Sequence, residues 1–109
     1  MKMVVAVVQD KDAPRLSNAL VQEGIRATKL ASTGGFLRAG NTTFLIGVED
    51  EKVEDVMRII RSNCRVRDQL VTPVSPMDGT TDSYIPYPVE VQVGGAAVFI
   101  IPVDRFEHF

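Results

Sequence analysis

The stretch Met3–Gly24, MVVAVVQDKDAPRLSNALVQEG, decides the fold. Met3 to Val8 are apolar and mostly β-branched, with no polar alternation, which is the pattern of a strand covered on both faces. Asp12 stands where a helix wants its N-cap, and Pro14 fits the first turn. Leu16, Ala19 and Leu20 recur at helical spacing, and Gly24 supplies the stop. A strand feeding directly into a helix is the opening of a strand-helix-strand unit.

Downstream the same order repeats. Ile25 to Ser32 alternates, with Ile25, Ala27, Lys29 and Ala31 on one face and Arg26, Thr28 and Leu30 on the other. Thr42 to Val48 reads as a third strand. A second helix follows, with Glu49, Asp50 and Glu51 near its start and Arg58, Arg61 and Arg65 near its end, matching the helix dipole. Val53, Val56, Met57, Ile60 and Cys64 form its apolar stripe. Val66 to Pro88 holds four of the six prolines, Pro73, Pro76, Pro86 and Pro88, around a run Asp78–Ser83, and reads as a loop or extended arm. Val89 to Val93 and Ala96 to Val103 are strands hinged by Gly94 and Gly95.

Two such halves predict an α+β, ferredoxin-like βαββαβ sandwich in one domain over residues 1–109, with the proline-rich arm at about 66–88. Two helices cover only one face of that sheet. Yet Val4 to Val8, and later Val98, Phe99, Ile100 and Ile101, are apolar on both faces. The bare face has to be buried by the arm or by another copy of the chain, and self-association is the preferred reading.

Composition narrows the function. The chain has 109 residues and a net charge of −2, and its Lys and Arg are scattered, so the basic stripe of a nucleic-acid binder is missing. No apolar run reaches the roughly 18–20 residues of a membrane span, and the start MKMVVAVVQDKD does not read as a signal peptide. One cysteine, Cys64, forms no internal disulfide, which agrees with a cytoplasmic setting. Its place on the helical stripe points to core packing rather than nucleophilic chemistry. With one His and one Cys, no tetrahedral metal site assembles from those residue types.

Function concentrates in Ile25–Val48, IRATKLASTGGFLRAGNTTFLIGV. Arg26 and Thr28 share a strand face, and the returning chain is expected to bring Asn41 and Gly47 beside them. Gly34 and Gly35 can offer consecutive N–H groups to an anion, Phe36 a flat face to a base, and Asn41 a carboxamide matching adenine. Gly47, inside a strand, marks a close approach by a ligand or another backbone. Together these parts suit an adenine nucleotide. Taken singly, each has a plainer reading: turn glycines, a turn Asn41, a Phe36 folded onto the sheet, a solvated Arg26 and a bulge at Gly47.

The run Ile25–Thr43, together with MKMVVAVVQD at the start and SYIPYPVEVQVGGAAVFIIPVDRFEHF at the end, closely resembles the cyclic-di-AMP receptor family of PII-like proteins. That resemblance implies a homotrimer with the sheets lining its interior, binding cyclic di-AMP at each subunit interface, with no catalytic activity and no cofactor. It implies that Arg26, Thr28 and Asn41 are polar ligand contacts, with Thr28 and Asn41 at an adenine. Gly35, Phe36 and Leu37 match the loop that meets the phosphates and bases, and Gly47 matches a main-chain contact to a base. Phe99 and the tail around His108 match the part given by the neighbouring subunit, although the family often has Gln at the position of His108. The short loop between the second and third strands and the long arm shift the expected output element to Val66–Pro88, facing a downstream protein of unknown identity. The competing readings are a PII-like sensor of ATP and a small hydrolase of phosphate esters or acyl phosphates. Against the hydrolase, the turn Gln9–Asp12 is acidic and lacks glycines, and no base–nucleophile pair is evident.

Overall fold

The computed structural model describes residues 1–32, 40–71 and 89–109. The expected loop of Gly35, Phe36 and Leu37, and most of the proline-rich arm, lie outside the described residues. Four strands form one antiparallel sheet in the order β2-β3-β1-β6. They are β1 (Lys2–Gln9), β2 (Thr28–Ser32), β3 (Asn41–Val48) and β6 (Ala96–Pro102). Helix α1 (Ala13–Gln22) joins β1 to β2, and α2 (Val53–Asn63) follows β3 after a short 3-10 turn at Asp50–Lys52. This arrangement is compatible with the ferredoxin-like sandwich.

The core lies between the sheet and the helices. Val4, Ala6 and Val8 of β1 are wholly buried with Phe44 and Ile46 of β3. Leu16 and Leu20 of α1 and Val56, Ile59 and Ile60 of α2 close over them. The period of two in β1 thus sends one set of valines into the core. The other set, Val5 and Val7, is only half-buried on the opposite face.

The segment after α2 differs from the expectation of a loop. Arg67–Val71 is a strand, β4, paired antiparallel with β5 (Val89–Val93) in a separate two-stranded ribbon. The ribbon forms the foot of the arm. It was hidden because Arg67, Asp68 and Gln69 give β4 a polar start with no alternation to signal a strand.

Asp12 also behaves differently from a plain helix cap. It occupies the N-cap position of α1, but its side chain makes no capping hydrogen bond. Its carboxylate turns instead onto the foot of the arm, where the Gly95 N–H donates to Oδ2 at 2.7 Å and Arg67 Nη1 donates to Oδ1 at 2.9 Å. The Gly94 N–H donates to the Gln9 side-chain oxygen, and Lys11 Nζ donates to Gln69 Oε1 at 2.7 Å. Gly94 and Gly95 have φ of +82° and +99°, and a Cβ on Gly94 would sit 2.6 Å from Asp12 Oδ2. Only glycine allows this close approach in the left-handed region.

Asp12 is 1% exposed. Burial alone works to raise its pKa, but the Gly95 N–H and the Arg67 guanidinium outweigh it and hold the carboxyl below the usual carboxylate value. A depressed carboxylate contributes stability above its unfolded-state pKa, and that contribution is lost as pH falls through the folded value. Asp12→Asn is therefore expected to lower the unfolding free energy by about 1–3 kcal/mol at neutral pH. The gap narrows below about pH 4, the ordinary carboxylate range. Urea denaturation followed by circular dichroism, at one fixed protein concentration, checks this; equal midpoints at neutral pH would contradict it.

Candidate functional site

Residues directly opposite in an antiparallel sheet point to the same face. The registers Met3↔Gly47 and Val5↔Leu45, with Met3↔Ile101 and Val5↔Phe99 on the other side, therefore place these side chains together, away from the helices. The face is apolar and uncovered among the described residues. Phe99 is 53% exposed, and Leu30 and Ile101 are exposed as well.

At one end of this face, where β2 begins and β3 ends, lies a cavity of about 880 Å³. That is within the range of roughly 300–1,000 Å³ typical of small-molecule sites. Arg26, Thr28, Leu45 and Gly47 line it on the sheet side, Val21 and Ile25 come from the end of α1 and the segment after it, and Phe106 comes from the C-terminal tail. Thr28 pairs with Leu45, so the same count brings Arg26, two residues earlier, level with Gly47. Of the four residues that the sequence groups, Arg26, Thr28, Asn41 and Gly47, all but Asn41 meet here. A guanidinium, a hydroxyl and bare backbone thus share an otherwise apolar cavity.

Gly47 has no evident duty in folding. Its φ is not in the left-handed region, and a Cβ there would meet only Met1 Cε, at an ordinary 3.8 Å. The missing side chain leaves open backbone on the cavity wall, which is what the close approach of another molecule requires.

Asn41 does not join this group. It lies at the opposite end of β3, paired with Gln9 of β1 and Ser32 of β2. Six residues along a strand span about 20 Å at the usual rise, so one subunit cannot place Asn41 and Gly47 on the same base. The expectation that the returning chain sets Asn41 beside Arg26 and Thr28 is corrected by the register. Asn41 is 3% exposed, and its Oδ1 has no hydrogen-bond partner among the described residues. Its neighbours tie this end to the turn after β1. The Asp10 N–H donates to the Gly40 carbonyl at 3.0 Å, and Thr42 Oγ1 donates to Asp10 Oδ1 at 3.1 Å.

Phe99 sits level with Val5 on the uncovered face, and His108 is exposed in the tail; neither lines the cavity. Sequence reasoning missed Phe106. The signal was a lone aromatic between Arg105 and Glu107, in a tail where no strand or helix period drew attention to it.

Nothing described points to chemistry at Cys64. Burial, then the nearby Asp12 charge, pushes its thiol pKa up to about 11, so it stays protonated in the core. Among the described residues no cluster of three His, Cys, Asp or Glu is placed to hold a metal ion, and no helix is long and apolar enough to cross a membrane.

A crystal structure of a functionally unknown protein from Pediococcus pentosaceus ATCC 25745 is similar to this chain, with 48% identity over 99% of this chain and 96% of that one and a TM-score of 0.76. The model of the cyclic-di-AMP receptor family matches residues 1–109, the full length of the sequence, and the chain belongs to that family.

Proposed function

We propose that this chain is a PII-like receptor that binds cyclic di-AMP between adjacent subunits of a homotrimer in the cytoplasm and signals through its arm. The observation that carries the reading is the cavity in which Arg26, Thr28 and the bare backbone of Gly47 meet at the edge of an uncovered apolar sheet face. The ligand is a dianion with two flat bases. Arg26 supplies the cation for a phosphate, Thr28 a hydroxyl, and Gly47 main-chain polar groups at a base.

The distance between Asn41 and Gly47 shapes the assembly. One copy offers the Arg26–Thr28–Gly47 end, and the adjacent copy offers Asn41 with the segment holding Gly35, Phe36 and Leu37. Adenine then satisfies Asn41 Oδ1, which has no partner among the described residues, through its exocyclic amine, the usual complement of a carboxamide. Phe99 and His108 act from the neighbouring copy. Packing three sheets against one another buries the apolar face that the described residues of one subunit leave uncovered. The chain works as a binding protein without catalysis. The arm is the output element, because its ribbon is bolted at Gly94, Gly95 and Arg67 to the same β1–α1 turn that holds Gly40 and Thr42. A downstream protein reads its position. The ligand shifts that position only by binding one arrangement better than the other.

A thermal-shift screen of mono-, di- and cyclic nucleotides tests the ligand. Cyclic di-AMP is expected to raise Tm in a concentration-dependent way. A larger shift with ATP would overturn the assignment in favour of an ATP sensor, and turnover of cyclic di-AMP or acetyl phosphate would favour the hydrolase.

Two substitutions test the site by titration calorimetry. Gly47→Ala should keep or slightly raise stability, since glycine costs a strand roughly 0.5–1 kcal/mol relative to alanine, while weakening ligand binding. Asn41→Ala should cost about 1–3 kcal/mol of binding free energy. Wild-type affinity in both variants would remove them from the site.

Sedimentation velocity without ligand should show a trimer. A monodisperse monomer would contradict the placement of the site between copies.

A further inference from the structure

We propose that Phe106 is the aromatic surface on which one adenine of the ligand stacks, and that the same subunit supplies it along with Arg26, Thr28 and Gly47. The inference rests on the reading of the cavity as a cyclic-di-AMP site and adds a residue to it. Phe106 is the single aromatic side chain lining the cavity among the described residues; the other apolar walls are aliphatic. It is 65% exposed, so much of the ring is accessible to a ligand.

The backbone explains how the ring comes to be there. Strand β6 ends at Pro102, and the Val103 N–H donates to the Met1 carbonyl at 3.2 Å, which ties the departing chain to the start of β1 beside the cavity. The flanking Arg105 and Glu107 pair with each other at 3.0 Å. Val103 and the ring between this pair are the tail residues that line the cavity. Phe99 cannot take this role within one subunit, because it lies mid-strand on the open face, level with Val5. The two phenyl rings therefore serve different walls, Phe106 from one copy and Phe99 from its neighbour.

A base–aromatic stack tolerates any base, so Phe106 supplies affinity while Thr28 and Asn41 supply the choice of adenine. Calorimetric titration of the full chain with cyclic di-AMP, paired with sedimentation, tests this in wild type, Phe106→Ala, Phe106→Leu and Leu70→Ala. Leu70 is an exposed apolar residue on the arm's ribbon and serves as the control. Phe106→Ala is expected to bind about 10- to 100-fold more weakly. Phe106→Leu should remain clearly impaired, because it restores apolar area without the π face, and Leu70→Ala should match wild type. The oligomeric state should be the same in all four. Wild-type affinity in Phe106→Ala, full recovery in Phe106→Leu, or loss of the oligomer in Phe106→Ala would each overturn the stacking role. In all three of those cases wild type still binds. Absence of binding by wild type itself would instead overturn the receptor reading, and the Phe106 assignment with it.

Discussion

Strand β1 carries apolar side chains on both faces, while the two helices cover only one of them. Val4, Ala6 and Val8 are sealed under α1 and α2, whereas Val7, and Val5 with its cross-strand partners Leu45 and Phe99, lie on the side that the helices do not cover. Leaving that much hydrocarbon in water opposes folding of an isolated subunit, so the sheet calls for a second surface. The proposed association through this face would remove the penalty and form crevices between copies at the sheet's ends. The candidate site occupies such an end. The proposed assembly and ligand site thus both trace back to one imbalance between a two-faced strand and a one-sided helical layer.

The sheet register then acts as a ruler. It puts Thr28 opposite Leu45, two residues from Gly47, and sends Asn41 to the far end of β3. A ligand spanning all of these residues has to see them from more than one subunit. The far end is also where the β1–α1 turn gathers its hydrogen bonds, to Gly40 and Thr42 on one side and to Gly94, Gly95 and Arg67 on the other. The feet of the two connections are thus hydrogen-bonded to one turn, outside the hydrophobic core.

Much of this was legible in the sequence, because the signals were local. The unbroken apolar run at Met3–Val8, the helical stripes and the glycine stop at Gly24 predicted the elements, and the bare sheet face followed from counting two helices against one sheet. The grouping of Arg26, Thr28 and Gly47 was readable from period-two geometry and a strand glycine. What failed was long-range. Nothing near Asp12 signals that its carboxylate abandons the helix cap for a backbone N–H eighty-three residues away. The position of Asn41 depended on a register that no local pattern specifies. The strand at Arg67–Val71 was masked by its polar start, and Phe106 by a tail without periodicity.

The central claim is that one copy's Arg26–Thr28–Gly47 end and another copy's Asn41 grip the same ligand. A crystal structure of the protein grown with cyclic di-AMP measures this directly. It should show one adenine within hydrogen-bonding distance of Thr28 and the Gly47 backbone of one subunit, with the Asn41 carboxamide of the adjacent subunit on the same molecule. A ligand held wholly by a single copy, or a cavity left to solvent at saturating ligand, would contradict the account.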